Sequence, residues 1–148
     1  MKINKKLLCL LCPVFILSLT ACGSKSYTDG TYKAQSENYV NDEDDSTAGN
    51  GYGIVELTIS GGAVTACDFK TYELDGTLKD AEYGKENGEI ANKDFYNKAQ
   101  KALAACDKYA AQLVEKGSLK EVDAISGATV NYNEFKEAVS EALRQAEQ

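Results

Sequence analysis

Hydrophobic residues recur along this chain with two distinct periods. Val55, Leu57 and Ile59 alternate with polar neighbours, and after Gly61-Gly62 the stretch from Val64 to Tyr72 offers Cys67 and Phe69 to one side. A period of two on both sides of a double-glycine turn predicts a β-hairpin. Upstream, "DGTYKAQSENY" reads as a first strand opening after a turn, with Tyr32, Ala34 and Ser36 on one face. Further on the period lengthens. Phe95, Ala99, Leu103, Cys106, Ala110 and Leu113 fall at three- and four-residue spacings, which predicts a helix from about Lys93 to Lys116, closed by Gly117. A short extended segment is expected around Leu119 to Ile125. A last helix is then expected from about Tyr132 to Ala146, with Phe135, Val139 and Leu143 buried and Asn131 and Glu134 as a reciprocal cap. Three strands, a helix, a short strand and a helix predict an α+β fold: an antiparallel sheet with helices packed on one side.

Two stretches carry neither period. "VNDEDDSTAGNG" is acidic, but it lacks the sixth-position glycine and twelfth-position glutamate of a calcium loop, so it reads as a solvated connection. "DGTLKDAEYGKENGEI" is a polar connection broken by glycines.

The N-terminus has a different character. Lys2, Lys5 and Lys6 precede an apolar run from Leu7 to Leu19, and Leu19-Thr20-Ala21-Cys22 follows. The run is shorter than the roughly 20 residues a spanning helix needs, and the order of charge, apolar core and small residues is that of an export signal. Its end resembles a bacterial lipobox, which implies cleavage before Cys22 and acylation of that cysteine. The expected organisation is a lipoprotein signal peptide over 1–21, the lipidated cysteine and a polar tether over 22–30, and one domain over 31–148. Each buried acyl methylene contributes about 0.8 kcal/mol, so two or three chains hold a protein to a bilayer. The expected location is the extracytoplasmic face of a cell membrane.

Charge and composition then exclude several classes of function. The chain has 16 basic and 23 acidic residues; without the three leader lysines, 13 face 23, a net charge of −10. An acidic domain is a poor ligand for nucleic acid, and none is expected as a partner. Histidine is absent, which removes Ser-His and Cys-His nucleophilic machinery and His-ligated metal sites. No catalytic residue and no metal ligand is expected. Cys9 and Cys12 belong to the leader, leaving Cys67 and Cys106 in the domain. Two cysteines give no spacing pattern, so pairing and burial as small hydrophobes are both open.

One stretch carries chemistry. In "DAISGAT", residues 123–129, two hydroxyls and a glycine stand just before the last helix. Glycine permits close backbone approach, and unpaired amides at a helix start favour an anion such as phosphate. An ordinary small-residue turn has the same composition, and the physical reading by itself leaves both open. The stretch resembles the D-x-x-S/T-G-A-T signature of the FMN-binding domain family, which includes flavin subunits of the sodium-pumping NADH:quinone reductase and Rnf complexes and many surface lipoproteins. "DGTY" resembles the opening of that domain and "VELTISGGAVTACDF" its hairpin. The resemblance runs from about Tyr27 to Leu143.

The resemblance implies an FMN-binding domain-like fold and FMN joined by a phosphoester to Thr129. The bond would be made by a separate flavin transferase that uses FAD and magnesium, with AMP leaving. Ser126, Gly127 and Ala128 would shape the phosphate turn, and Asp123 would engage the transferase. Tyr83, Lys79 and Tyr72 are candidates for the flavin ring, as an aromatic face or a cation beside it. Two departures stand out. The T-P-G-L/I-G loop of the quinone-reductase branch is missing, and Val130-Asn131-Tyr132 replaces the hydroxyl residues that often follow the signature. Function is then expected to be electron transfer between an unknown donor and acceptor by a membrane-anchored flavoprotein, a carrier more than an autonomous enzyme. The alternative is a cofactor-free or non-covalent surface lipoprotein that binds a ligand or partner.

Overall fold

The computed structural model describes residues 27–42 and 49–147. Cys22 and the leader lie outside these residues, as does the middle half of the acidic connection, 43–48. Strands β1 (Gly30–Gln35), β2 (Tyr52–Ser60) and β3 (Ala63–Tyr72) form one antiparallel sheet in that order. Helices α1 (Lys93–Lys116) and α2 (Thr129–Ala146) follow, separated by a single 3₁₀ turn at Leu119–Glu121. The architecture is the α+β one the two periods predict. The expected fourth strand is the correction: Leu119–Ile125 makes no ladder, and Leu119–Glu121 coils tightly instead. Its backbone groups are taken up locally: Glu121 N–H donates to the Ser118 carbonyl at 3.1 Å, Val122 N–H to the Leu119 carbonyl at 3.3 Å, and the Val122 carbonyl accepts from the Tyr132 hydroxyl.

The hairpin turns through Gly61 and Gly62, both at positive φ (62° and 76°), the pairing that suits the twist of a two-residue turn. Val64 and Phe69 are five positions apart, an odd spacing that would put them on opposite faces of a regular strand. A bulge resolves this: Thr58 pairs with Ala66 but Ile59 pairs with Val64, leaving Thr65 over. Val64, Cys67 and Phe69 therefore share the face of Val55, Leu57 and Ile59, and Val64 and Phe69 are buried there.

Both helices cover that face, α1 against β3 and α2 against β1 and β2. Small residues let them approach: Ala99, Ala105 and Ala110 on α1, and Ala138, Ala142 and Ala146 on α2, are all buried. Three aromatic rings fill the centre. Phe135 meets Phe69 edge-on at 5.1 Å, and Tyr109 stacks on Phe135 at 5.7 Å. Full burial of each such side chain is worth about 1.5–3 kcal/mol, and together they lock α1, α2 and the sheet.

Helix α1 begins where expected, with Asn92 Oδ1 accepting the Phe95 N–H at 3.0 Å. It ends at Gly117, whose left-handed backbone (φ 68°) lets its N–H reach the Leu113 carbonyl. Within the predicted stripe, Ala99, Cys106, Ala110 and Leu113 are buried, while Phe95 and Leu103 are half-buried. Helix α2 starts three residues earlier than its apolar pattern indicates. Its first position is Thr129, its cap residue is Ala128, and no side chain caps it. The Asn131–Glu134 cap is thus not formed: Asn131 donates to the Cys106 thiol at 3.3 Å, and Glu134 is buried. The N–H of Thr28 donates to the Ala146 carbonyl at 2.8 Å, tying the start of the described chain to the end of α2. Among the described residues no helix is long and apolar enough to cross a membrane.

Candidate functional site: the α2 turn and a buried polar cluster

The "DAISGAT" segment folds as a turn closed by the Ala128 N–H donating to the Ile125 carbonyl at 3.1 Å. Ser126 and Gly127 are its two central residues. Gly127 takes φ 83°, and nothing lies within 4 Å of the place a Cβ would occupy, so glycine serves here through backbone freedom alone. Both ends of the turn are held by one atom. The Tyr109 hydroxyl accepts the Ile125 N–H at 3.1 Å and donates to the Ala128 carbonyl at 3.2 Å. Tyr109 is fully buried on α1, so the turn is referenced to the core. A second tyrosine, Tyr132, packs against it at 5.3 Å and donates to the Val122 carbonyl at 2.8 Å.

This bracing presents Thr129 as an exposed residue at the first position of α2. The earliest helical hydrogen bond there is from Tyr132 N–H to the Ala128 carbonyl at 3.0 Å. Backbone N–H groups before it have no intrahelical acceptor, and this is the end of a helix that attracts an anion. Ser126 and Gly127 are exposed beside it, and Ala128 is buried. Asp123 stands apart from the turn. It is on the surface, its carboxylate 2.7 Å from the Lys116 ammonium and its backbone N–H donating to Gln112.

Lys79 and Tyr83 are brought together in a second place, between the sheet and the start of the helices. Lys79 is 8 % exposed and donates to the Gly49 carbonyl at 3.0 Å. Its ammonium lies 5.2 Å from the Tyr83 ring centre, and the Tyr83 hydroxyl accepts the Gly49 N–H at 3.2 Å. Burial lowers the Lys79 pKa, while the negative charges of Glu134 and Glu73 oppose that shift. Tyr72 does not join them. It stacks on Tyr52 at 5.5 Å, on the outer face of the sheet.

The sequence reading missed the centre of this cluster. Glu134, from the second turn of α2, is 3 % exposed, and neither of its carboxylate oxygens has a hydrogen-bond partner among the described residues. Burial pushes its carboxyl up to about 7; Lys79 pulls in the opposite direction, and Glu137 adds a smaller rise. The Thr71 hydroxyl on β3 is likewise buried and unpartnered. Thr71 pairs with Gly53, where an added Cβ would lie 2.5 Å from the Phe69 ring and 3.1 Å from the Glu134 Cβ. A Cβ on Gly51 would lie 2.7 Å from the Lys79 ammonium. The signal for Glu134 was present: it heads the stripe Glu134, Ala138, Ala142, where a carboxylate interrupts an otherwise apolar face. Tyr109 carried a weaker one, a hydroxyl at core spacing between Cys106 and Leu113.

Cys67 and Cys106 are both free thiols. Burial pushes Cys67 up to about 12 and Cys106 up to about 11, so neither is a thiolate at neutral pH. A broad groove lined by α2, the end of α1, the 3₁₀ turn and the hairpin end of the sheet includes none of Thr129, Lys79, Tyr83 or Glu134.

The sequence model of the FMN-binding domain family matches residues 49–144. The chain belongs to this family. Among solved structures, the CPE2226 protein from Clostridium perfringens is similar at 19% identity, over 81% of this chain and 88% of that one, with a TM-score of 0.57. That likeness is one of fold. A protein from Clostridium thermocellum solved by NMR matches at 22% identity over 79% of this chain and 90% of that one, with a TM-score of 0.41. No curated protein matches the chain. Membership makes FMN the cofactor that the FMN-binding domain has to accommodate, and the residues fit it. The start of α2 offers open amides to a phosphate, and the buried cluster offers a carboxylate and a hydroxyl without partners among the described residues to the polar remainder.

Proposed function

We propose that this protein is an extracytoplasmic flavoprotein that holds FMN through a phosphoester on Thr129 and passes electrons between redox partners at a membrane. The observation that carries the reading is the position of Thr129: an exposed hydroxyl on the first residue of an uncapped helix, directly after a braced turn. Within the protein each residue then has a part. The open amides at the start of α2 balance the charge of a phosphodiester. Gly127 allows the turn, and Tyr109 and Tyr132 keep Thr129 in one place by fixing the turn and the segment that leads to it. Ser126 is exposed beside the phosphate position as a hydroxyl donor, and Asp123, exposed on the surface and oriented by Lys116, is available to a transferase. Lys79 and Tyr83 contribute to the buried cluster. The flavin, when bound, supplies the redox chemistry, and the protein supplies position and electrostatics.

The bond itself requires help. A threonine hydroxyl is a weak nucleophile, and this chain has no histidine to activate it. A flavin transferase with magnesium and FAD supplies what is missing. In that reaction the Thr129 oxygen would bond to the FMN-side phosphorus of FAD as its bond to AMP breaks, the hydroxyl proton passing to a base of the transferase. Attachment through acyl chains on Cys22 would keep the carrier beside a membrane donor, with the polar residues after it as a short leash.

Co-expression with a flavin transferase tests the reading. The chain from residue 23 onward contains every element of the fold, and it should give a fluorescent band after denaturing electrophoresis that Thr129→Ala abolishes. A dark wild-type band beside a modified positive control would leave the alternative, non-covalent binding of a ligand or partner, in its place.

A further inference from the structure

The buried cluster has hydrogen-bonding capacity that the described residues do not use. Glu134 presents two acceptor oxygens with no donor among the described residues, and Thr71 presents a hydroxyl in the same condition. Leaving such groups unpaired in a core costs about 1–3 kcal/mol each, more for a charged group. Lys79 has three N–H donors and spends one of them on the Gly49 carbonyl. It attracts Glu134 electrostatically without satisfying either of its oxygens. A buried cation and a buried carboxylate are thus held in one cluster, each with bonds to spare. The Gly49 backbone shows which chemistry suits the place: it offers a carbonyl to Lys79 and an N–H to the Tyr83 hydroxyl. On the sheet side, Gly51 lets Lys79 and Gly53 lets Phe69 and Glu134 pack directly against the backbone, which brings the two charged side chains to one stretch of β2 and its approach.

The complement of this arrangement is a ligand edge with an N–H flanked by carbonyls. The isoalloxazine ring of a flavin has one such edge, the imide of its pyrimidine ring. We propose that Glu134 and Lys79 recognise that imide edge, Glu134 accepting the ring N3–H and Lys79 donating to an adjacent ring carbonyl. The assignment rests on the flavin reading above and deepens it. It gives the phosphate and the ring separate holders: the first turn of α2 for one, its second turn together with Lys79 for the other. Thr129 and Glu134 are five residues apart on one helix, about 7.5 Å along its axis and about 140° around it, so a ligand held at both would pass round the first turn of α2 from its exposed side to its buried one. Burial without a donor also accounts for the raised Glu134 pKa, which an N–H donor would bring down.

The test uses the chain from residue 23 onward with Thr129→Ala, so that binding is read without the covalent bond. Riboflavin and 3-methylriboflavin, in which a methyl group replaces the N3 hydrogen, are titrated and followed by quenching of flavin fluorescence. A hydrogen bond from N3–H to a carboxylate predicts that riboflavin binds about ten- to a hundredfold more tightly than its methyl derivative. Glu134→Met, close in size and without a strong acceptor, should bring that ratio near one. Equal affinity for the two flavins in the parent, or no binding of either, overturns the assignment. The methyl comparison needs no variant at Glu134, so a misfolded Glu134→Met leaves the test intact. The outcomes separate from those at Thr129. A fluorescent wild-type band with equal affinities sinks the imide assignment alone, and strong discrimination with a dark band sinks the covalent attachment alone.

Discussion

Replacing Glu134 by glutamine should flatten the dependence of stability on pH in the flavin-free protein. The folded state raises this carboxyl from 4.5 to about 7 because burial disfavours its charged form. Between those values the folded chain binds a proton that the unfolded chain releases, so stability falls as pH rises. The contribution is fully present below pH 4.5 and lost once the pH passes about 7. A tenfold change in proton affinity is worth about 1.4 kcal/mol, so the loss across this interval is about 3 kcal/mol. For a domain of this size that is a fall of about 10 °C in Tm. Asp29, Asp75 and Glu141 have lowered pKa values, and their contributions are lost below the ordinary carboxylate range, outside this window. Urea melts of the chain from residue 23 onward, followed by circular dichroism at pH 5, 6, 7 and 8, measure the slope. Glutamine at 134 buries a polar amide, so its absolute stability is a poor readout and the slope is the proper one. Removing the Lys79 charge with Lys79→Met should move the wild-type midpoint to higher pH. A Glu134→Gln protein with the parent's pH slope would refute the claim that this carboxyl titrates in the core.

Other expectations follow from named contacts. Tyr109→Phe removes the hydroxyl that holds both ends of the turn, and should destabilise the fold by about 1–3 kcal/mol in the same urea melts. It should also slow flavin loading in a timed in-gel assay more than Tyr132→Phe does, because Tyr132 reaches only Val122. Gly53→Ala sets a methyl against Phe69 and Glu134, and overpacking of that kind costs about 1–3 kcal/mol, seen as a lower urea midpoint. In the native protein, Cys67 and Cys106 should resist a thiol-specific disulfide reagent at pH 8 and react once urea unfolds the chain.

Part of this architecture is legible in short stretches of the sequence, and part is not. Period-two alternation at Val55–Ile59, the Gly61-Gly62 turn and the 93–116 stripe each involve residues a few positions apart, and local geometry suffices to specify them. The signature at 123–129 is equally local, and its resemblance to the FMN-binding domain family was legible for the same reason. Three features were not. Helix α2 begins at Thr129 and not near Tyr132, because the start of a helix depends on where the preceding turn is held, and Tyr109 holds it from another helix. The odd Val64–Phe69 spacing fits one face through a bulge that exists only against β2.

Glu134 read locally as half of a cap, since Asn131 stands at the right distance before it. Its burial follows from the packing of α2 on β1 and β2 and the arrival of Lys79 from the connection after β3. Sequence by itself determined the three strands, the two helices, the fold class and the threonine that the family signature singles out, but not the 3₁₀ turn that stands where a fourth strand is expected. The tertiary structure decided which side chains surround one another, because burial and charge pairing depend on residues far apart in the chain that only the packed core brings together.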